Sequence, residues 1–167
     1  MQIKSRKPQV AGLIDKLVAK ELPGRRGLDA WVALLKAHAT LMRALESDLE
    51  EKTGLALADF DVLAQLANAG GELRMTELAA LALISRSGMT RRVARLADEG
   101  LVRRANAEGD ARGVVVGLTN AGAARLIETA PVHLRGIRKL FVEQLDEKEL
   151  EVLERALAKV TIDCSFG

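Results

Sequence analysis

The 167-residue chain has no tyrosine, three phenylalanines, one tryptophan and one cysteine. A lone thiol, Cys164, cannot close an internal disulfide or supply a thiolate cluster for zinc or iron, so no staple of that kind is expected. The two histidines, His38 and His133, lie far apart, too few for an imidazole zinc site, and no metal is expected. No apolar run approaches the roughly 18 residues of a membrane span, and Lys4, Arg6 and Lys7 are not followed by the apolar core of a signal peptide. A soluble, cytoplasmic protein that makes no use of a membrane is therefore expected. A Gly-rich phosphate loop and a histidine beside a nucleophile are also missing, so neither an enzyme nor a cofactor is expected. The net charge of +2 makes no case by itself for a polyanionic partner.

What is present is apolar and helical. Hydrophobic residues make up 49% of the chain and charged residues 29%, the balance of a globular protein of single-domain size. Alanine and leucine supply nearly a third of the residues, which favours helix over strand. Val10, Leu13, Ile14, Leu17 and Val18 recur at helical spacing until Leu22-Pro-Gly24 ends the stretch. A longer helix is predicted from Leu28 to Lys52, a third from Ala58 to Asn68, and two shorter ones over Thr76–Ala82 and Arg86–Glu99, with Ser85 as the N-cap of the last. After Gly100 the pattern changes. Leu101–Ala105 and the valine-rich Gly113–Leu118 flank a polar, turn-forming segment and predict a β-hairpin. Thr119 can cap a helix running towards Leu145, with kinks at Pro131 and Gly136, and Asp146 with Glu149 has the spacing of a capping box opening the last helix.

On a helical wheel of residues 86–99, Met89, Val93, Leu96 and Ala97 share one side. Ser87, Arg91, Ala94 and Arg95 face away from it. A basic, hydroxylated helix face fits a DNA major groove about 12 Å wide, where arginine can bind guanine through two hydrogen bonds. An ordinary solvated helix also carries exposed arginines. The hairpin that follows, with Arg103, Arg104 and Arg112, adds the order of a winged helix-turn-helix. Near its tip, Asp110 can orient the guanidinium of Arg112.

These segments carry a resemblance. Phe60-Asp-Val-Leu63, Met75-Thr-Glu-Leu-Ala79, Ser85-Arg-Ser-Gly-Met-Thr-Arg91, Arg95-Leu96, Glu99-Gly-Leu-Val-Arg103, Asp110-Ala-Arg112 and Leu118-Thr-Asn-Ala-Gly122 occur in an order that closely resembles the multiple-antibiotic-resistance-regulator (MarR) family of bacterial transcription factors. The resemblance implies a mainly α fold with a small β-hairpin wing, as a homodimer on pseudo-palindromic double-stranded DNA. It divides the chain into a basic extension (1–27), a helical dimerisation region (28–54 and 119–163) and a winged lobe (55–118). It implies a repressor, with Ser85, Arg86, Ser87, Thr90, Arg91 and Arg95 facing DNA and Arg112 held in the wing by Asp110. Two departures stand out: Ala56 to Ala58 offer no hydroxyl cap, and Ala111 replaces an arginine of the usual wing.

Many relatives release DNA on binding small aromatic or phenolic acids, and the resemblance places such an effector at a junction lined by Trp31, His38, Met42, Arg43 and Phe60. Each of these residues also fits ordinary core packing. The competing function is a winged-helix module that binds a protein instead of DNA. Charge is unevenly distributed in the direction DNA binding requires. Residues 84–112 hold seven arginines against four acids, and residues 1–26 hold seven basic against two acidic side chains. Residues 43–61 and 143–163 are each acidic. The basic extension could follow DNA or pack on a partner subunit.

Overall fold

The computed structural model describes residues 7–22, 24–107 and 110–163. In chain order the elements are α1 (Lys7–Glu21), α2 (Arg25–Thr53), α3 (Leu57–Asn68), β1 (Glu72–Arg74), α4 (Met75–Leu81), α5 (Arg86–Asp98), β2 (Val102–Ala107), β3 (Asp110–Leu118), α6 (Asn120–Leu140) and α7 (Glu147–Asp163). A 3₁₀ turn, Val142–Gln144, joins the last two helices. The fold is mainly helical with a small antiparallel sheet, as the sequence pattern implies. Contacts divide the chain into two units at Arg43/Ala44, within the continuous helix α2.

The first unit holds α1 and the larger part of α2. Many of its apolar side chains, among them Leu13, Ile14, Leu17, Trp31 and Leu35, are exposed, while Val18, Leu28 and Leu41 are half-buried.

The second unit holds the core. Leu49 from α2, Phe60, Val62, Leu63 and Leu66 from α3, Leu78 from α4, and Met89, Val93 and Leu96 from α5 are buried together with Val102 and Val116 of the sheet. The inward residues of α5 follow the wheel drawn from its sequence. Strand order is β1-β3-β2, with Leu73 opposite Val116 and Arg104 opposite Val116 on the other side. β1 escaped the sequence pattern because only one of its three residues turns inward.

Helix ends explain the compactness of this unit. α3, α4 and α5 all close with the same pair of hydrogen bonds, from the first two residues past the cap back to carbonyls of the last turn. Gly70 N–H donates to Ala67 and Gly71 N–H to Leu66; Leu83 to Ala80 and Ile84 to Ala79; Gly100 to Ala97 and Leu101 to Leu96. This arrangement puts the residue after the cap in the left-handed region, where glycine has no Cβ penalty. Gly70 and Gly100 fit it, but the middle position is Leu83, at φ 53 and 94% exposed. The leucine gains no burial to offset the strain. Leu83→Gly is therefore expected to stabilise the fold by about 0.5 to 1 kcal/mol, the relief of left-handed strain less the extra freedom of glycine in the unfolded chain. Urea unfolding at equilibrium measures this, and a loss of stability would show that the side chain contributes something its exposure conceals.

The caps largely follow the sequence. Ser85 Oγ accepts from Gly88 N–H at 3.2 Å, and Thr119 Oγ1 from Gly122 N–H at 3.0 Å. Asp146 and Glu149 form a reciprocal capping box, each side chain accepting from the other's backbone N–H at 2.9 Å. Ala56 caps α3 without any side-chain bond, as its methyl group dictates. α6 ends at Leu140, short of Leu145. After Phe141 N–H reaches Ile137, the next bonds span only three residues, Gln144 to Phe141 and Leu145 to Val142, and the helix tightens. Gln144 Nε2 donates to the carbonyl of Lys139, satisfying one group left open by that ending.

Candidate nucleic-acid interface

The face of α5 opposite the core begins with the cap. Ser85 is committed to Gly88 N–H, and its hydroxyl lies 3.4 Å from that of Ser87. Gly88 is closely approached: a Cβ there would sit 3.0 Å from both Ile84 Cγ2 and Ser85 Oγ, so a side chain would need both to give by a few tenths of an ångström. Arg86, Ser87, Thr90 and Arg91 are all exposed. Thr90 Oγ1 donates to the carbonyl of Arg86 at 2.9 Å, which leaves its oxygen lone pairs facing outward. Among the described residues Arg91 makes no ion pair. Its guanidinium is thus available, on a rigid helix, at the centre of the outward stripe.

Arg95 is placed differently from its neighbours. Its side chain is 53% exposed, yet its Nη2 donates to Asp59 Oδ1 at 2.5 Å and also contacts Oδ2. Arg92 Nη1 reaches the same Oδ1 at 2.5 Å. Asp59 belongs to the first turn of α3 and its side chain is only 7% exposed. This acid is not among the residues expected from the sequence, although a signal existed. Asp59 shares the spacing of Val62, Leu63 and Leu66, the buried stripe of its helix, and a carboxylate on such a stripe requires a cationic partner.

The wing is built on a similar allocation. Residues directly opposite one another across the strands share a face, so Glu72, Gly117 and Arg103 lie together. Arg103 forms an ion pair with Glu72 by crossing over Gly117 of the central strand. A Cβ on Gly117 would fall 2.8 Å from Arg103 Cζ, so glycine is what lets the guanidinium lie flat there. Arg104 is on the other face, with the buried Val102 and directly opposite the buried Val116. It is exposed and makes no ion pair among the described residues. Asp110 and Arg112 fall on β3 by backbone, but their side chains lie outside the described residues, as does Cys164.

Of the five residues expected around an effector, Trp31, His38, Met42 and Arg43 are exposed on the first unit. Phe60 is buried in the second, where its ring meets that of His133 with centroids 4.6 Å apart and a tilt of 47°. Burial holds the His133 imidazole below its usual pKa, against the smaller opposing pull of the Asp61 carboxylate, and its Nδ1 is buried without a hydrogen-bond partner. Among the described residues no cluster of His, Cys, Asp and Glu could hold a metal ion, and no helix is long and apolar enough to cross a membrane.

Comparison with known proteins places this geometry. The model of the MarR family matches residues 53–113, from the end of α2 to the middle of the wing. The HTH-type transcriptional regulator PecS of Dickeya dadantii is 30% identical over 129 residues, covering 76% of each chain. AbsC, a MarR family transcriptional regulator from Streptomyces coelicolor, is 31% identical over 81% of this chain and 92% of its own, with a TM-score of 0.75. The chain belongs to the MarR family.

A second Streptomyces coelicolor member, Sco3205, solved in complex with DNA, is 31% identical over 83% of this chain and 87% of its own, with a TM-score of 0.77. The chain is thus a MarR-type transcriptional regulator and not an enzyme. Within that family plan its α5 is the second helix of the helix-turn-helix, and β2 and β3 form the wing.

Proposed function

We propose that this MarR-family protein binds double-stranded DNA as a homodimer, represses transcription from a pseudo-palindromic operator, and is released by a small aromatic or phenolic acid. The observation that carries the DNA reading is the outward stripe of α5, where Ser87, Thr90 and Arg91 stand exposed on a helix whose opposite face is locked into the core. Such a stripe presents hydroxyls for phosphates and base edges and a guanidinium for guanine. The DNA bound to Sco3205 supports the same use here. Arg104 extends the basic surface onto the wing, and Asp110 and Arg112 are proposed to continue it. Repression is the direction of regulation that the family resemblance favours.

Dimerisation is supported by apolar side chains that the chain leaves uncovered. Leu134 on α6, and Val152 and Val160 on α7, are more than half exposed, and an apolar groove runs along α7 past Leu145, Val152, Leu153 and Ala156. A second copy related by a twofold axis would cover these faces and duplicate the recognition helix, which is the symmetry a pseudo-palindrome matches. The effector reading finds support in a cleft of about 470 Å³ between the end of α2 and α6, apolar along Val132 and Leu140. Arg135 and Lys139 line it and make no ion pair among the described residues, so it suits an anionic, partly apolar guest.

Selection of bound sites from random duplexes, followed by titration at several salt concentrations, tests the proposal. The expected product is a symmetric site. With about six phosphates contacted per dimer, affinity should fall by roughly three powers of ten as salt rises fourfold. An enriched site with no symmetry would remove the dimer from the reading. Binding that ignores salt, or no enrichment at all, would favour the protein-interaction module instead.

A further inference from the structure

The sequence Arg91-Arg-Val-Ala-Arg95 puts three guanidiniums on α5, but they point in different directions. Arg91 lies on the outward stripe, whereas Arg92 and Arg95 lie successively round the flank nearest α3. At that flank a single carboxylate, Asp59, holds both. Its placement has two physical supports. It occupies the first turn of α3, where the exposed N–H groups favour a negative charge, and α3 has no side-chain cap to supply one. It is also nearly buried, so its charge is little screened by water. Arg92 is the more enclosed of the pair, 25% exposed with Nε buried and unpartnered, and it packs as part of the lobe. Arg95 is half exposed and would be free to reach DNA if nothing held it.

We propose that Asp59 is a specificity-determining positioning residue. By holding Arg92 and Arg95 against α3 it keeps two of the four α5 arginines off the phosphates and leaves Arg91, at the centre of the outward stripe, as the arginine that reads sequence. This rests on α5 being the DNA-reading helix. A cation that meets phosphates adds affinity without reading sequence, and one left free to do so competes with the docking that brings Arg91 to its base, so holding it back lowers non-specific binding more than operator binding. Asp59 touches no DNA in this scheme. It acts through the two side chains it holds, and it fixes the angle of α5 on α3 at the same time.

The test compares Asp59→Asn with the full-length wild type on operator and on random duplex, across a salt series. Asparagine keeps the size of the side chain and removes its charge. The expected result is a steeper salt dependence, with the slope of log affinity against log salt increasing in magnitude by at least about one per dimer, as freed cations each contribute up to ~0.9. Affinity for random duplex should rise several-fold and the ratio of operator to random affinity should fall about tenfold. A merely structural role would weaken both bindings without steepening the slope. An unchanged slope and ratio in a folded variant would overturn the proposal.

Where Asp59→Asn does not fold, Arg95→Gln decides the matter. A guanidinium held by Asp59 and absent from DNA predicts an unchanged salt slope and unchanged preference at every operator position. A slope reduced by about one per subunit, or a relaxed preference at one base pair, would make Arg95 a DNA contact and overturn the assignment. Failure of the wild type itself to show salt-dependent duplex binding would overturn the DNA reading, and with it this role. That outcome is distinct from a wild type that binds DNA with variants that behave alike.

Discussion

Arg91→Ala is expected to lower operator affinity by roughly 2 to 6 kcal/mol, at least about thirty-fold. A well-formed arginine contact to a base is worth about 1 to 3 kcal/mol of discrimination, and a twofold dimer loses it twice. The loss should fall almost entirely on binding. Arg91 is exposed and, among the described residues, makes no ion pair, so its truncation belongs with surface changes that move stability by about 0.5 kcal/mol or less. Two measurements resolve its role. Repeated site selection with the variant should show base preference relaxed at one symmetric pair of positions, and the salt slope should fall by up to about 0.9 per subunit. Weakened affinity with every base preference intact would instead make Arg91 a phosphate contact. Sequence reading would then pass to Ser87, Thr90 and Arg86.

Arg91 was legible in the sequence because a wheel assigns each residue of a helix to a face, and Met89, Val93 and Leu96 define the buried face clearly. Ser85, Thr119 and the Asp146–Glu149 pair were legible for another reason. A cap is a contact between residues three apart, so spacing alone reveals it. Arg95 shows where this kind of reading stops. The wheel turns its Cβ partly outward, but a guanidinium sits several bonds beyond Cβ and goes where the charge is. That charge is Asp59, 36 residues earlier on another helix. The same limit applies to Arg103, which looks like a free wing cation until the register places Glu72 across Gly117 from it. Of the arginines seen in the sequence of α5 and the hairpin, Arg92, Arg95 and Arg103 are held by carboxylates within the fold. Arg86, Arg91 and Arg104 make no ion pair among the described residues, and no pattern local to the helix or hairpin could have sorted one group from the other.

Leu83 marks a different limit. Its neighbours predict a turn after α4, yet the residue itself argues against the left-handed conformation it adopts. The two backbone hydrogen bonds that close α4, and the burial of Leu78 and Ala79 just before them, outweigh a local penalty of about 1 to 2 kcal/mol.

Gly122→Ala carries the second large effect, and here the loss is of the fold. A Cβ at this position would run into the carbonyl oxygen of Leu101 and lie 2.8 Å from Leu118 Cδ1. The leucine side chain could turn aside, but the carbonyl cannot retreat freely. Leu101 O accepts from Thr119 N–H at 3.2 Å, while Leu101 N–H is tied to Leu96 at the close of α5. Any shift of α6 away from Leu101 also stretches the bond from Gly122 N–H to Thr119 Oγ1, its N-terminal cap. Overpacking of a close contact costs about 1 to 3 kcal/mol and loss of a cap about 1 more, so a destabilisation of about 3 kcal/mol is expected. In a chain of this size that corresponds to a fall in Tm of about 6 to 12 °C. Gly12→Ala supplies the opposite control. Gly12 lies in α1, and a Cβ there would meet nothing within 4 Å, so alanine should raise helix stability by up to about 1 kcal/mol. Calorimetric melting of both variants separates the cause. If glycine mattered at Gly122 only for its flexibility, both substitutions would stabilise; the close approach of Leu101 requires them to differ in sign.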